Sequence, residues 1–179
     1  DDVYDYSESF HSSIKNYLLS SDYVIGNLET PIAGKDVNYT NPSVASVFNT
    51  PKDFLISLKD IGISMLTTAN NHALDRGIYG LCKTLDYLDE FEFDHTGTRR
   101  SASEEKILYK SFHGLRFAFL SYTYGMNTQW LNCDLSANEV LHINFFRDID
   151  LCQFKREGNY TITQHFKKIL YNLLPSAFI

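Results

Sequence analysis

Between Ser64 and Gly77 the chain reads S-M-L-T-T-A-N-N-H-A-L-D-R-G. The first half is apolar and β-branched, the signature of a buried strand. The second half turns polar abruptly, placing Asn70, Asn71, His72 and Asp75 where a strand gives way to a loop. In open α/β sheets, binding and chemistry collect outside the carboxyl ends of the strands. An Asn-His pair there offers an amide oxygen and an imidazole to a metal or an oxyanion. Asn and Asp are also ordinary turn and cap residues, and a His beside them can serve only to satisfy backbone groups. Arg76 and Gly77 lead into a helical pattern.

The rest of the chain repeats this alternation. Phe10, Ile14, Tyr17 and Leu18 recur at helical spacing between Glu8 and Leu19. Tyr23-Val24-Ile25 reads as a short strand, and Gly26-Asn27-Leu28-Glu29-Thr30-Pro31 forms a second polar cluster at its end. Residues 32–49 are rich in Gly, Asn, Ser and Thr and read as an extended loop of the kind that covers sites. Thr50 and Asp53 have capping-box spacing and Pro51 suits a first helical position, so a helix should start here. Its apolar stripe is Phe54, Leu55, Leu58 and Ile61, with Gly62 as the stop. Ile63 to Ala69 is the second strand.

A helix should span Ile78 to Phe91 with Leu81, Leu85 and Leu88 on one face, followed by a short strand at 93–97. Ile107–Phe112 and Leu115–Tyr122 predict a hairpin turning at His113-Gly114. The order helix, strand, helix, strand, helix, strand, hairpin favours an α/β sheet layered with helices. Beyond Thr128 the pattern is irregular, with Val140–Phe146 readable as a strand and 162–173 as a helix.

Composition narrows the function classes. The 179 residues are 44% hydrophobic and 21% charged, a globular balance with room for a core. The net charge of −6 argues against a nucleic-acid partner. No apolar run approaches a bilayer span. The chain starts at Asp1, which predicts a processed product or a fragment. Cys82, Cys133 and Cys152 have no metal-ligand spacing and read as free thiols. His11, His113, His142 and His165 have no partner in sequence and read as structural. Arg76, Arg99 and Arg100 could meet an anionic substrate.

If the first two strands are neighbours, about 4.8 Å apart, Glu29 and Asn71 can contact the same ion. Carboxylate and amide oxygens suit Mg²⁺ or Mn²⁺, and an added imidazole suits Mn²⁺, Fe or Zn²⁺. His72 would then act as a general acid or donate to developing charge.

Several motifs resemble the CapA family of poly-γ-glutamate capsule biosynthesis proteins. They are Y-D-Y-S at 4–7, D-Y-V-I-G-N-L-E-T-P-I at 22–32, F-N-T-P at 48–51, T-A-N-N-H-A-L-D-R-G at 68–77, H-T-G-T at 95–98 and F-L-S-Y-T-Y-G at 119–125. That family is similar to the calcineurin-like metallophosphoesterases. The resemblance implies a layered α/β/β/α core over residues 1–127, truncated at both ends, followed by a divergent segment at 128–179. It implies a metal-dependent phosphoesterase-type site with His72 facing the scissile phosphate. Glu29 and Asn71 would be the ligands of a divalent metal (Mn, Zn or Fe), and Asn27, Asn70, Asp75, Arg76 and His95 would support them or meet substrate. The family's upstream Gly-Asp and downstream His-Trp-Gly motifs have no match here, so the metal site is expected to be incomplete. The implied substrate is an anionic polymer or a phosphoester. The implied setting is the cell surface, with the longer parent attached to the membrane. The alternative is a non-catalytic subunit of a polymer synthesis and export complex.

Overall fold

The computed structural model describes residues 6, 12–37, 47–127, 135 and 137–146. These all fall in one compact unit, Asp1–Ile149. In chain order the elements are α1 (Ser12–Leu19), β1 (Ile25–Asn27), α2 (Asp53–Asp60), β2 (Met65–Thr67), α3 (Gly77–Glu90), β3 (Asp94–Thr96), β4 (Leu108–Phe112), β5 (Leu115–Phe119) and α4 (Ala137–Leu141). The fold is α/β, as the alternation predicts. One sheet is parallel with order β1-β2-β3, and a second is the antiparallel pair β4-β5. Parallel neighbours need a crossover, which α2 and α3 supply. The β1–β2 register sets Ile25 opposite Met65 and Asn27 opposite Thr67. Leu66 then pairs with His95 on β3.

The core lies where the helical stripes meet this sheet. Leu55, Leu58 and Ile61 of α2 and its end, Leu81, Leu85 and Leu88 of α3, and Leu66 of β2 are all buried in one cluster. Both crossover helices end in the same way. In α2, Gly62 N–H bonds Lys59 C=O and Ile63 N–H reaches back to Leu58 C=O, with Gly62 at φ 92°. In α3, Glu92 N–H bonds Asp89 C=O and Phe93 N–H bonds Leu88 C=O, with Glu92 at φ 55°. These are Schellman ends, in which a left-handed residue lets the chain close back on the last carbonyls. The hairpin turn has positive φ at both His113 (50°) and Gly114 (79°), the requirement of a two-residue type I′ turn.

The structure differs from the sequence reading in four places. Thr50 does not cap α2; its hydroxyl shares a hydrogen bond with Thr30 Oγ1 at 2.9 Å. The helix begins instead after a turn in which Phe54 N–H bonds Pro51 C=O. A cap needs its oxygen aimed at the helix's free N–H groups, and Thr30 competes for it. The first strand lies two residues later than read, so Asn27 belongs to β1 itself. Ile14 and Tyr17 of α1 are exposed, and of the described residues of that stripe only Leu18 packs on the core. The stretch read as a strand at 140–146 starts as the end of α4 and continues as isolated bridges, Thr98–Ile143 and Thr123–Phe145.

The helix read at 162–173, together with His11, His165, Cys133 and Cys152, lies outside the described residues. Cys82 is a free, half-buried thiol, and burial pushes its pKa up. Among the described residues no helix is long and apolar enough to cross a membrane.

Candidate active site at the strand ends

Parallel pairing brings the two polar clusters to the same end of the sheet, and side-chain amides stitch them together. Asn27, the last residue of β1, donates from Nδ2 to Glu29 Oε2 at 3.1 Å. Its Oδ1 accepts from Thr67 Oγ1 and from Asn70 Nδ2, each at 3.3 Å. Asn70 also donates to Leu28 C=O at 2.8 Å, so it clamps the β1 end to the β2 end. Its own Oδ1 accepts the His72 N–H at 3.1 Å. That local bond is an Asx-type turn, and it sets where the His72 backbone sits.

The imidazole is held from three sides. His72 Nδ1 lies 2.7 Å from Asp75 Oδ2. A carboxylate only accepts, so Nδ1 carries a proton and donates it to Asp75. Asn127 Nδ2 lies 3.2 Å from both ring nitrogens. An atom equidistant from the two nitrogens lies over the ring face and not along either in-plane lone pair, so the Asn127 amide packs on the imidazole. The Phe48 ring lies 4.2 Å from the imidazole centroid, tilted by 31°. The Phe48 N–H also donates to Asp75 Oδ2, at 2.7 Å. The Asp75 side chain is 1% exposed and that of His72 11%, so the pair sits in low dielectric with its charge spoken for.

Asn71 turns the other way. Its Nδ2 donates to Asn127 Oδ1 at 2.9 Å, and the Asn127 N–H returns a bond to Asn71 C=O at 3.0 Å. Glu29 is exposed at the end of the β1 cluster. A cavity of about 410 Å³ opens beside it, lined by Asn27, Glu29, Thr30, Phe48, Phe54 and Leu66 among others.

The donor types suit a divalent cation. Among the described residues no cation pairs with the Glu29 carboxylate and no donor bonds the Asn71 amide oxygen, and hard ions take such oxygens. Among the described residues no three His, Cys, Asp or Glu side chains group closely enough to hold a metal.

The remaining sequence candidates stand apart from this network. Arg76 donates from Nη2 to Val47 C=O at 3.3 Å, which ties the 47–50 segment to the start of α3. His95 points to α3, where Nε2 meets Asp89 Oδ1 at 2.9 Å. Arg100 bonds Asp86 and the same Asp89. His142 uses Nδ1 on Arg99 C=O at 2.9 Å, a structural bond. Two residues of the site gave no signal as candidates in sequence. Phe48 lies in the F-N-T-P stretch, but an apolar ring beside a loop reads as packing. Asn127 closes the Gly-Met-Asn turn, and nothing local tells that its amide spans Asn71 and His72.

Comparison with known proteins agrees with this architecture. A family described as "Bacterial capsule synthesis protein PGA_cap" matches residues 1–148. The PGA biosynthesis protein CapA of Bacillus subtilis (strain 168) is 32% identical over 119 residues, covering 65% of this chain and 31% of that protein. The capsule biosynthesis protein CapA of Bacillus anthracis is 31% identical over 112 residues, covering 62% of this chain and 27% of that protein. An uncharacterized protein of Sinorhizobium fredii, y4sH, is 30% identical over 105 residues, covering 54% of this chain and 22% of that protein. The chain thus spans less than a third of the length of these relatives. The family match runs past the last of the motifs, through the bridges at Ile143 and Phe145. With a match over that much of its length, the chain belongs to the PGA_cap family of bacterial capsule synthesis proteins.

Proposed function

We propose that the chain acts in bacterial capsule synthesis as a phosphoesterase-type module at the cell surface, with His72 as the residue that meets the substrate. The observation that carries this reading is the Asp75–His72 pair at the β2 end. Asp75 fixes the ring by accepting from Nδ1, which leaves Nε2 as the working nitrogen. In its neutral form Nε2 accepts a proton; in its charged form it donates one to a leaving oxygen. Phe48 and Asn127 hold the ring plane so that this atom keeps one direction. Arg76 secures the Phe48 segment. Glu29 and Asn71 would hold the divalent metal (Mn, Zn or Fe), which when bound supplies Lewis-acid charge at the phosphoryl oxygens.

The test uses two variants of the full-length protein. His72→Ala should reduce phosphoester turnover about 10²–10⁴-fold, the size of a lost acid–base contribution, with metal content unchanged. Asn71→Ala should lower metal occupancy. If His72 merely ties down its loop, its loss lowers the melting temperature without selectively reducing turnover.

A second reading has its own support. The strand ends are rich in amides: Asn27 bonds the exposed Glu29 and Asn70, and Asn71 bonds Asn127. Neutral amides bind a polymer without reacting with it. In that case the chain is a non-catalytic platform in a synthesis and export complex, and no divalent metal will elicit turnover of any phosphoester.

A further inference from the structure

The stretch F-L-S-Y-T-Y-G at 119–125 leads into a turn that carries Asn127 to the end of β2. This turn is pinned at several points. Thr123 N–H bonds Asn144 C=O at 3.0 Å, and Thr123 Oγ1 donates to Gly125 C=O at 2.9 Å. Met126 is 5% exposed and sits in the core cluster. Asn127 follows it directly. Its N–H donates to Asn71 C=O at 3.0 Å, which ties the turn to the residue before His72.

The two side chains meet as well, with Asn71 Nδ2 donating to Asn127 Oδ1 at 2.9 Å. A side-chain amide has two ends of similar shape and opposite character, an oxygen that accepts and an NH2 that donates. Asn127 Oδ1 only accepts, so the end of Asn71 that faces it is the NH2. The other end of Asn71 is then its oxygen, which no donor bonds among the described residues. A hard divalent cation takes a neutral amide through that oxygen. The Asn71–Asn127 bond therefore selects the one orientation in which Asn71 can be a ligand. Asn127 is itself held against flipping. Its Nδ2 packs on the His72 ring, 3.2 Å from both nitrogens, and a flipped Asn127 would set two NH2 groups against each other.

We propose that Asn127 is a positioning residue that fixes the Asn71 amide with its oxygen available to the divalent metal. This rests on the reading of Asn71 as a metal ligand and adds the residue that sets the ligand's orientation. It also gives the 119–127 segment a part in the site, although none of its side chains is a proposed ligand.

The experiment uses the full-length protein labelled with ¹⁵N at asparagine. In the metal-free protein the Asn71 side-chain NH2 signals, identified by their loss in Asn71→Ala, are followed for exchange with solvent. Calorimetry with Mn²⁺ and thermal melts run alongside, on wild type, Asn127→Ala and Asn127→Asp. The wild-type Asn71 signals should be protected from exchange. Asn127→Ala should remove that protection and weaken Mn²⁺ binding about tenfold or more, the usual size of a lost partner behind a ligand. Asn127→Asp, whose carboxylate still accepts from Asn71 Nδ2, should restore both. Wild-type Asn71 signals that exchange as fast as a free asparagine amide overturn the proposal without any variant. An Asn127→Ala protein with a lower melting temperature but unchanged Mn²⁺ affinity also overturns it, and Asn71 then stands as a ligand without this support. So does an Asn127→Asp protein that binds as weakly as Asn127→Ala. If the wild type takes up no Mn²⁺ at all, the reading of Asn71 as a ligand falls, and this proposal with it.

Discussion

At Gly97 the backbone takes φ 122°, and an added Cβ would lie 2.5 Å from the Ala69 backbone nitrogen and 2.9 Å from Ser121 Oγ. The close approach is what lets Thr98 N–H reach Thr68 Oγ1 at 2.9 Å, which ties the end of β3 to the end of β2. Gly97→Ala combines a strained φ with a clash against backbone, so it should destabilise the fold by about 3 kcal/mol, measured by urea denaturation. The same scale decides the His72 environment. Asp75→Asn keeps the shape but removes the obligate acceptor. The expected outcome is a large fall in turnover with a modest change in melting temperature, because the ring loses its fixed tautomer. Equal loss of turnover and stability would instead assign Asp75 to packing through the Phe48 N–H. The sequence exposed His72 and Asp75 as candidates, since an i, i+3 pair in a tight polar turn is visible in one dimension. Phe48 is 24 positions upstream of His72 and Asn127 is 55 downstream, and only the fold brings them to the ring.

Helix ends offer a paired test at the next scale. Gly62 and Glu92 occupy equivalent left-handed positions after α2 and α3. Glycine pays no Cβ penalty there and other residues do. Glu92→Gly should therefore stabilise the chain by about 1 kcal/mol. Gly62→Ala should cost at least as much, since its Cβ would also press on Leu19 Cδ2 at 3.0 Å. Chemical denaturation of both variants checks the opposite signs; two changes of the same sign would refute the equivalence. The elements themselves were legible where the pattern was local. The Leu81, Leu85 and Leu88 stripe predicts α3, and His113-Gly114 between apolar runs predicts the hairpin. The α2 cap was not legible, because Thr30, 20 positions away, competes for the Thr50 hydroxyl.

Across the whole molecule, an ion cluster joins α3 to β3 and the segment after it. Asp89 bonds His95 and Arg100. Burial pushes the Asp89 carboxyl up, but the hydrogen bonds from His95 and Arg100 outweigh it and hold the group below its ordinary 3.8. The folded chain thus binds this proton less readily than the unfolded chain. The stabilisation is complete above the ordinary value and is lost as the pH falls through the lower, folded one. Thermal melts should show wild type losing stability more steeply than Asp89→Asn below about pH 4. Parallel curves would mean that exposure screens the pair to nothing, as it does for most surface ion pairs.

The sequence by itself determined the alternation of helices and strands, the turn chemistry of the hairpin and the polar clusters after β1 and β2. Each of these rests on interactions within a few residues, where periodicity, glycine and side-chain length are sufficient. Only the tertiary structure decided that β1 lies against β2, so that Asn27 and Asn70 share a hydrogen bond. It alone turned His95 toward Asp89 and away from the His72 network, and it alone buried Arg99 with no counter-ion among the described residues while its neighbour Arg100 took both carboxylates. Two adjacent arginines look identical in sequence, since a side chain's charge is local. Whether that charge meets an acid depends on residues 10 and more positions away, which the packing of α3 against β3 brings within reach of one arginine and not the other.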